Sequence, residues 1–269
     1  SPVGRLGAKM SGCNTIFINE PNDIDEKLID KIQNMDSKKI DSSLNTYINK
    51  DLNVLIPMAG RGSRFADKGY VFPKPLIEVK GKPMIQLVVE NLNIEANYTF
   101  IVLQEHIEKY NIDQMLKLIK PNSNIVITDG ITEGAASTTL LAKEFINNEA
   151  PLIIANSDQF IEWNPSEVLY SFMNKNVDGG ILTFSATHPK WSYAKINNEG
   201  LVTEVAEKNP ISSHATVGVY FWKKGLDYVD SAEDMINKNI RVGIIIMARH
   251  NSSRLEGKVY KKIIDKKII

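Results

Sequence analysis

Two arginines, two glycines and a lysine between residues 60 and 74 have the types and the spacing that bind phosphate. An apolar run at 54–58 leads into the loop 59–64, which reads Ala-Gly-Arg-Gly-Ser-Arg. Glycines in such a loop let backbone amides approach an anion, while Arg61 and Arg64 neutralise its charge. Lys74 follows between two prolines, whose fixed φ angles restrict the segment that carries its ammonium group. The loop and the lysine together predict a site for a polyphosphate.

Asp158 is the candidate carboxylate, because it follows a second apolar run at 152–155. A reaction between two phosphate-bearing molecules needs a site that cancels charge and holds an in-line geometry. Mg²⁺ bound by Asp158 would serve both needs, because this ion bridges carboxylate and phosphate oxygens. The neighbouring Asn156 and Ser157 leave a second interpretation open, in which Asp158 is a surface or helix-capping residue.

The elements that must position these residues follow from an alternation of short apolar runs and helical stretches after residue 52. This alternation predicts an α/β fold with a mostly parallel sheet covered by helices on both faces. Ligands of such sheets bind beyond the carboxyl ends of the strands, where the loop and Asp158 would lie. The predicted strands are 53–57, 98–103, 124–128, 151–156, 180–186 and 217–221, the predicted helices are 84–92, 106–118 and 137–146, and a hairpin turn is predicted at Asn197, Asn198 and Gly200.

Composition narrows the class of protein. The chain has 32 basic and 32 acidic residues, so no global field would attract a nucleic acid or an anionic membrane. Cys13 is its one cysteine, which excludes an intramolecular disulfide and a cysteine zinc cluster. No apolar run approaches the roughly 20 residues of a membrane-spanning helix, and the first residues lack the apolar core of a signal peptide. We expect a cytoplasmic protein, with a homo-oligomer left open.

The runs GRGSRF, PKPLIEV and GKPMI, all between residues 60 and 85, resemble the signature of the sugar nucleotidyltransferases. These enzymes transfer a nucleoside monophosphate from an NTP to a phosphorylated acceptor. The resemblance covers about residues 52–222 and implies a Rossmann-like α/β/α sandwich that uses Mg²⁺ and releases pyrophosphate. It implies that Arg64, Lys74 and Asp158 are catalytic and that Asp158 holds the magnesium.

The same resemblance implies two sets of binding residues. The acceptor set is Glu207, Lys208 and Gly218, although Asn209 interrupts the family's Glu-Lys-Pro element and leaves a solvated charged turn as an alternative. A late metal aspartate of the family has no match, because the aspartates near the expected position lack its context. The nucleotide set is Met58, Ala59, Gly60, Arg61, Gly62, Ser63, Gly134, Ala135 and Ala136. For Ala135 and Ala136 an ordinary helix start packed on the sheet is an equal alternative.

The resemblance also suggests a domain division and a nucleotide. We interpret 1–51 as an N-terminal extension, with 1–9 as a cloning remnant, and 52–240 as the nucleotidyltransferase domain. The segment 241–269 resembles the opening of a CMP-sugar synthetase, as if a second such domain began there. Alternatives are that it completes the first domain, or that it is a basic strand and helix with no chemistry. With the compact loop at 59–64, which resembles bacterial capsule and cell-surface cytidylyltransferases, it favours CTP and surface polysaccharide biosynthesis.

Alternatives to this reading are a sugar-1-phosphate uridylyl- or thymidylyltransferase and a non-catalytic nucleotide-binding module of the same fold. A glycosyltransferase of the related fold is disfavoured. Such an enzyme would carry a pair of aspartates after a central strand, whereas Ser157, Asp158 and Gln159 supply one carboxylate.

Overall fold

The computed structural model describes residues 47–60, 72–175 and 177–237. Its strands are β1 Tyr47–Pro57, β2 Glu78–Val79, β3 Lys82–Pro83, β4 Ile94–Leu103, β5 Asn124–Thr128, β6 Leu152–Ala155, β7 Gly179–Ser185, β8 Ser192–Ile196, β9 Val202–Glu207 and β10 His214–Trp222. Its helices are α1 Met84–Leu92, α2 Gln104–Tyr110, α3 Ile112–Ile119, α4 Ala135–Leu140, α5 Lys143–Ile146, α6 Pro165–Asn174 and α7 Gly225–Asn237, with a 3₁₀ turn at Lys74–Leu76. None of these helices is long and apolar enough to cross a membrane.

Eight of the described strands form one mixed sheet in the order β5-β4-β1-β6-β10-β8-β9, with β7 also paired to β10. Strands β5, β4, β1 and β6 are mutually parallel, so their carboxyl ends lie at one edge. Strand β10 is antiparallel to β6, β7 and β8, and β9 is antiparallel to β8. Six of the eight strands therefore run in one direction, with β9 and β10 opposed.

Alternation along the central strands builds two apolar cores, one on each face of the sheet. In β1, Leu55 belongs to one core while Val54 and Ile56 belong to the other. The helices α4, α5 and α7 pack on the first core, and α1, α3 and α6 pack on the second. Because both faces are covered, the strands are buried at their centres and ligands have access at the sheet edges.

Local sequence explains where the helices begin and end. Helix α1 buries Ile85, Val88, Val89 and Leu92, a spacing that puts one apolar stripe on the sheet. Helix α6 begins where the side chain of Asn164 accepts a hydrogen bond from the backbone N–H of Glu167, with a proline at the first turn.

The predicted α/β sandwich and hairpin turn are confirmed, but several predicted elements need correction. The single helix predicted at 106–118 is two helices, because Asn111 adopts a left-handed conformation with φ 49°. The helix predicted at 137–146 is likewise split into α4 and α5. The elements that the sequence did not predict are β2, β3, β8, β9, α6 and α7, although the turn between β8 and β9 was predicted. Residues 1–46 of the predicted N-terminal extension and the C-terminal segment 241–269 lie outside the described residues.

Candidate active site

The chain leaves the core at the end of β1, where the predicted phosphate loop begins. Met58 and Ala59 are buried, one in each core, so they offer the edge only their backbone. Gly60 is exposed, and a Cβ there would meet no atom within 4 Å. The other predicted loop residues, Arg61, Gly62, Ser63 and Arg64, lie outside the described residues, so their contacts with phosphate remain a prediction.

Lys74 is carried by a short, well-anchored turn. The backbone N–H of Leu76 donates to the carbonyl of Pro73 at 2.8 Å, and the N–H of Ile77 donates to that of Lys74 at 3.2 Å. Pro75 is buried, and Leu76 packs against the core on its face of the sheet. The backbone of Lys74 is therefore fixed while its side chain extends to the sheet edge.

Lys74 and Asp158 form an ion pair, which brings together two predicted catalytic side chains that lie 84 residues apart in the chain. Asp158 lies in the turn that follows β6, at the same edge as the end of β1. The two side chains are 29% and 31% exposed, so solvent screens their attraction. Ion pairs that solvent screens contribute about 0.2–1 kcal/mol to stability. A phosphate or a cation can therefore replace one partner at a small cost in free energy.

A magnesium ion fits this donor set in a limited way. The described residues contain no group of three or more His, Cys, Asp or Glu side chains that could hold a metal. Mg²⁺ commonly binds through one or two carboxylates together with substrate phosphates and water. Asp158 supplies one carboxylate at a partly open edge, so it suits an ion that arrives with a polyphosphate.

Gly218 of β10 lies directly against the Asp158 turn. The backbone N–H of Asn156 donates to the Gly218 carbonyl at 2.9 Å. Gly218 has φ 94°, and a Cβ there would overlap the carboxamides of Asn156 and Gln159. Only glycine meets both requirements. Gly218 is buried, so the acceptor contact predicted for it would have to be made through these neighbours.

Asn156 and Gln159 are site residues that the sequence did not reveal as functional. Both flank Asp158 in the motif ANSDQF, where the carboxylate was the only chemical signal. Their role becomes visible only when β6 and β10 are known to pair, because that pairing puts the glycine of β10 beside the two carboxamides.

The predicted nucleotide-binding turn at 134–136 is exposed at its first two residues and buried at its third. Gly134 is exposed, and its carbonyl accepts hydrogen bonds from Thr132 Oγ1 and from the backbone N–H of Thr138. Ala135 is exposed as well, whereas Ala136 is buried in the core beneath α4. Gly134 and Ala135 are thus accessible to a nucleotide, and Ala136 supports the turn from below.

Helix α4 is fixed to the core by a buried hydroxyl pair. Thr139 Oγ1 is hydrogen-bonded to the hydroxyl of Tyr228 on α7. Burial raises the pKa of Tyr228, so its hydroxyl stays protonated in this contact. The start of α4, and with it Gly134, is therefore held in place from the core side.

Glu207 and Lys208 lie where β8 and β9 extend the sheet past the end of β6. Strand β8 meets β10 at Ala215, four residues before Val219, which pairs with the end of β6. The Lys208 backbone N–H donates to the Trp191 carbonyl at 3.0 Å, and its Nζ lies 3.1 Å from Glu207 Oε1. The Lys208 side chain is 64% exposed. Its charge stands in solvent beyond the carboxyl end of β6, the end of the strand that Asp158 follows.

His106 is a buried titratable group near this edge, in the first turn after β4. Its Nδ1 has no hydrogen-bond partner among the described residues. Its ring lies 6.3 Å from that of Tyr110, which packs edge-on against Phe72 at 5.7 Å. Burial lowers the pKa of His106, so the imidazole favours its neutral form.

The sheet edge thus defines a class of protein: an α/β domain that presents a lysine and a carboxylate beside the end of its first strand. Residues 53–241 match the Nucleotidyl transferase family. This chain therefore belongs to that family.

Curated relatives match over part of their length. The chain is 26% identical, over 217 residues, to the mannose-1-phosphate guanyltransferase of Schizosaccharomyces pombe, covering 77% of this chain and 59% of that protein. It is 23% identical, over 188 residues, to the bifunctional protein GlmU of Methanocaldococcus jannaschii, covering 68% of this chain and 43% of that protein. The chain thus spans about half the length of these relatives.

Solved structures agree on the fold. A nucleoside-diphosphate-sugar pyrophosphorylase from Vibrio cholerae RC9 has a TM-score of 0.60 at 22% identity, covering 80% of this chain and 89% of that one. A putative glucose-1-phosphate thymidylyltransferase from Bacillus anthracis has a TM-score of 0.59 at 20% identity, covering 72% and 80%. The Rossmann-like fold predicted from the sequence matches these neighbours.

Proposed function

We propose that this chain transfers a nucleoside monophosphate from an NTP to a sugar 1-phosphate and releases pyrophosphate. The observation that carries the proposal is the meeting of Lys74 and Asp158 at the edge where β1 and β6 end. Membership of the nucleotidyl transferase family supports it. The printed functions of the relatives support the acceptor class, because they include a mannose-1-phosphate guanyltransferase and a putative glucose-1-phosphate thymidylyltransferase.

The chemistry follows from charge. An oxygen of the acceptor phosphate attacks the α-phosphorus, and the bond to the oxygen that bridges the α- and β-phosphorus atoms breaks. Lys74 neutralises the α-phosphate as negative charge builds there. Arg61, Arg64 and the loop amides hold the departing β- and γ-phosphates. The acceptor phosphate is already a nucleophile, so the mechanism needs no covalent enzyme intermediate.

Two further groups complete the proposed site. A magnesium ion held by Asp158 and phosphate oxygens supplies positive charge when bound. Lys208 receives the acceptor phosphate, since its ammonium group stands in solvent beyond the carboxyl end of β6, which Asp158 follows. Gly134 and Ala135 present an exposed backbone on which the nucleotide base can rest.

The names of the relatives favour a nucleotide other than CTP. The preference for CTP and for capsule synthesis finds no support among the relatives, whose names include guanyl- and thymidylyltransferases. The sugar-1-phosphate alternative considered from the sequence fits them better.

A panel assay tests the proposal. Pyrophosphate release is measured from GTP, dTTP, UTP and CTP, each with Mg²⁺ and with mannose 1-phosphate, glucose 1-phosphate or phosphocholine. We expect release with at least one sugar 1-phosphate and a nucleotide other than CTP. Release only from CTP with phosphocholine would restore the cytidylyl reading. Binding of an NTP without release from any pair would identify a non-catalytic module.

A further inference from the structure

We propose that Gln159 is a positioning residue that holds the Asp158 turn against β10, so that the carboxylate faces Lys74. The inference rests on the proposed function of this site. It also gives a role to the irregular pairing of β10 between Thr216 and Tyr220. Gly218, which lies in this segment, leaves room for the Gln159 side chain.

The contacts anchor the turn at both ends. With its carboxamide nitrogen turned toward β10, Gln159 donates to the carbonyl of Val217 at 2.8 Å and to that of Gly218 at 3.1 Å. At the other end of the turn, the Asn156 backbone N–H donates to the same Gly218 carbonyl at 2.9 Å. Asp158 lies between the two anchors. One carbonyl of β10 therefore receives hydrogen bonds from both sides of the catalytic turn.

The bulge explains why β10 has carbonyls to offer. Between Thr216 and Tyr220, four steps along β10 pass only two along β7, from Thr183 to Ile181. The extra residues are displaced from regular pairing with β7, so their backbone groups need other partners. Gln159 satisfies two of these carbonyls. Gly218 makes the approach sterically possible, because a Cβ there would overlap the Gln159 side chain.

After Gln159 the next anchor of the chain is Ile161, whose backbone N–H donates to Asn91 Oδ1 and whose carbonyl accepts from Asn91 Nδ2, both at 2.8 Å. Phe160, the residue that follows Gln159, is 72% exposed and gives the turn no apolar anchor. The Lys74–Asp158 ion pair is itself partly exposed, so it contributes too little to hold the backbone. Misplacement of a catalytic group by 1 Å can lower a rate by about a hundredfold, so the anchor matters for turnover.

The test replaces Gln159 with side chains of similar length. Gln159→Met removes the donor and keeps the bulk, and Gln114→Met on the exposed surface of α3 is the matched control. We expect Gln159→Met to lower kcat about tenfold and to raise the Mg²⁺ concentration needed for half-maximal activity, with the KM for NTP changed less than twofold. Gln114→Met should match the wild type. A kcat for Gln159→Met within twofold of the wild type would overturn the proposal.

A second variant gives a signature that simple destabilisation would not. In Gln159→Glu, an ionised carboxylate would face two carbonyl oxygens and repel them, so the anchor is opposed as well as lost. At pH 8 the kcat of this variant should therefore lie below that of Gln159→Met. A kcat at or above that of Gln159→Met would contradict the hydrogen bonds.

Hydrogen exchange separates this inference from the proposed function. Without substrate, peptides from 152–163 should exchange faster in Gln159→Met than in the wild type or in Gln114→Met, because the turn loses its two side-chain hydrogen bonds to β10 and opens more often. If the wild type releases no pyrophosphate, the proposed function fails and this exchange difference alone decides the anchor. Equal exchange in all three proteins would overturn the anchor whatever the activity.

Discussion

In the Lys74–Asp158 pair the lysine lies on a turn anchored in the core and the aspartate follows a buried strand, whereas Lys208 lies on an exposed extension of the sheet. The strands that lead to the pair, β1 and β6, are parallel, central and covered on both faces. Strand β9, which leads to Lys208, is an outermost strand of the sheet and pairs only with β8 among the described strands. The pair is therefore supported by the core, while the Lys208 side chain is held only by its exposed ion pair with Glu207 among the contacts described above.

From this difference we expect the Lys74–Asp158 pair to serve the transfer step and the extension that carries Lys208 to determine the choice of acceptor. A reaction that needs an in-line geometry requires rigid groups around the α-phosphate. Recognition of the acceptor tolerates a more mobile charge, because a long exposed side chain can adjust to the phosphate it meets. Substitutions at the pair should alter turnover, and those on the extension should alter affinity for the acceptor.

The largest effect is expected at the rigid side of the comparison. Lys74→Ala should lower kcat by at least about a hundredfold, because it removes a charge that stabilises the transition state. The control is Lys109→Ala, since Lys109 forms an ion pair with Glu105 on the surface of α2. Steady-state pyrophosphate release measures both variants. A near-normal kcat for Lys74→Ala would remove Lys74 from the mechanism.

The support beneath the pair should matter next. Gly218→Ala should lower kcat between about tenfold and a hundredfold, because the new Cβ displaces the carboxamides beside Asp158. Gly200→Ala is the matched control: Gly200 also has a positive φ, 78°, but a Cβ there meets nothing within 4 Å. Each change should lower stability by about 1–2 kcal/mol through backbone strain. Thermal unfolding together with kcat separates strain from displacement, and unchanged kcat in both variants would contradict the role of Gly218.

On the exposed extension, Lys208→Ala should raise the KM for the sugar 1-phosphate about fivefold, a modest effect for an exposed charge. The KM for NTP and kcat should change less than twofold. Lys195→Ala, which removes another exposed lysine from the same extension, is the control. A large fall in kcat for Lys208→Ala would mean that the extension is as rigid as the pair, and the comparison would fail.

The smallest effect is expected in the pH dependence of stability, through the buried His106. Because burial lowers the pKa of His106, the unfolded chain takes up a proton at a higher pH than the folded protein does. Stability should therefore fall as the pH drops below about 6.5, the ordinary value for histidine, with a slope of at most about 1.4 kcal/mol per pH unit from this group. In His106→Phe this contribution should disappear. Chemical unfolding at pH 7.5 and 5.5 measures it, and equal pH slopes in both proteins would contradict it.

Much of the fold could be predicted, because the spacing of apolar residues indicates the strands and helices and their order along the chain indicates a parallel sheet. Apolar runs such as 152–155 mark central strands, and residues that follow parallel strands must meet at one edge. This reasoning placed Asp158 at the edge where the loop after β1 begins, and the structure has it there. The chemical roles of both segments remain predictions.

Other features depend on contacts that periodicity does not encode. Apolar spacing continues from α2 into α3, so the left-handed Asn111 that separates them left no break in the pattern. The bulge at Gly218 and the anchor at Gln159 depend on the pairing of β6, β7 and β10, which are distant in sequence. The choice of nucleotide depends on the shape of a pocket, and small residues such as Gly134 and Ala135 are compatible with several bases.

One measurement tests the central claim most directly: the fate of a radiolabel placed on the α-phosphate of the NTP, in the presence of Mg²⁺ and a sugar 1-phosphate. We predict that the wild type moves the label into a nucleoside-diphosphate sugar, and that Asp158→Asn does so at least about a hundredfold more slowly. Label that stays in the NTP, or that appears only as free nucleoside monophosphate, would contradict the account. So would equal transfer by the two proteins.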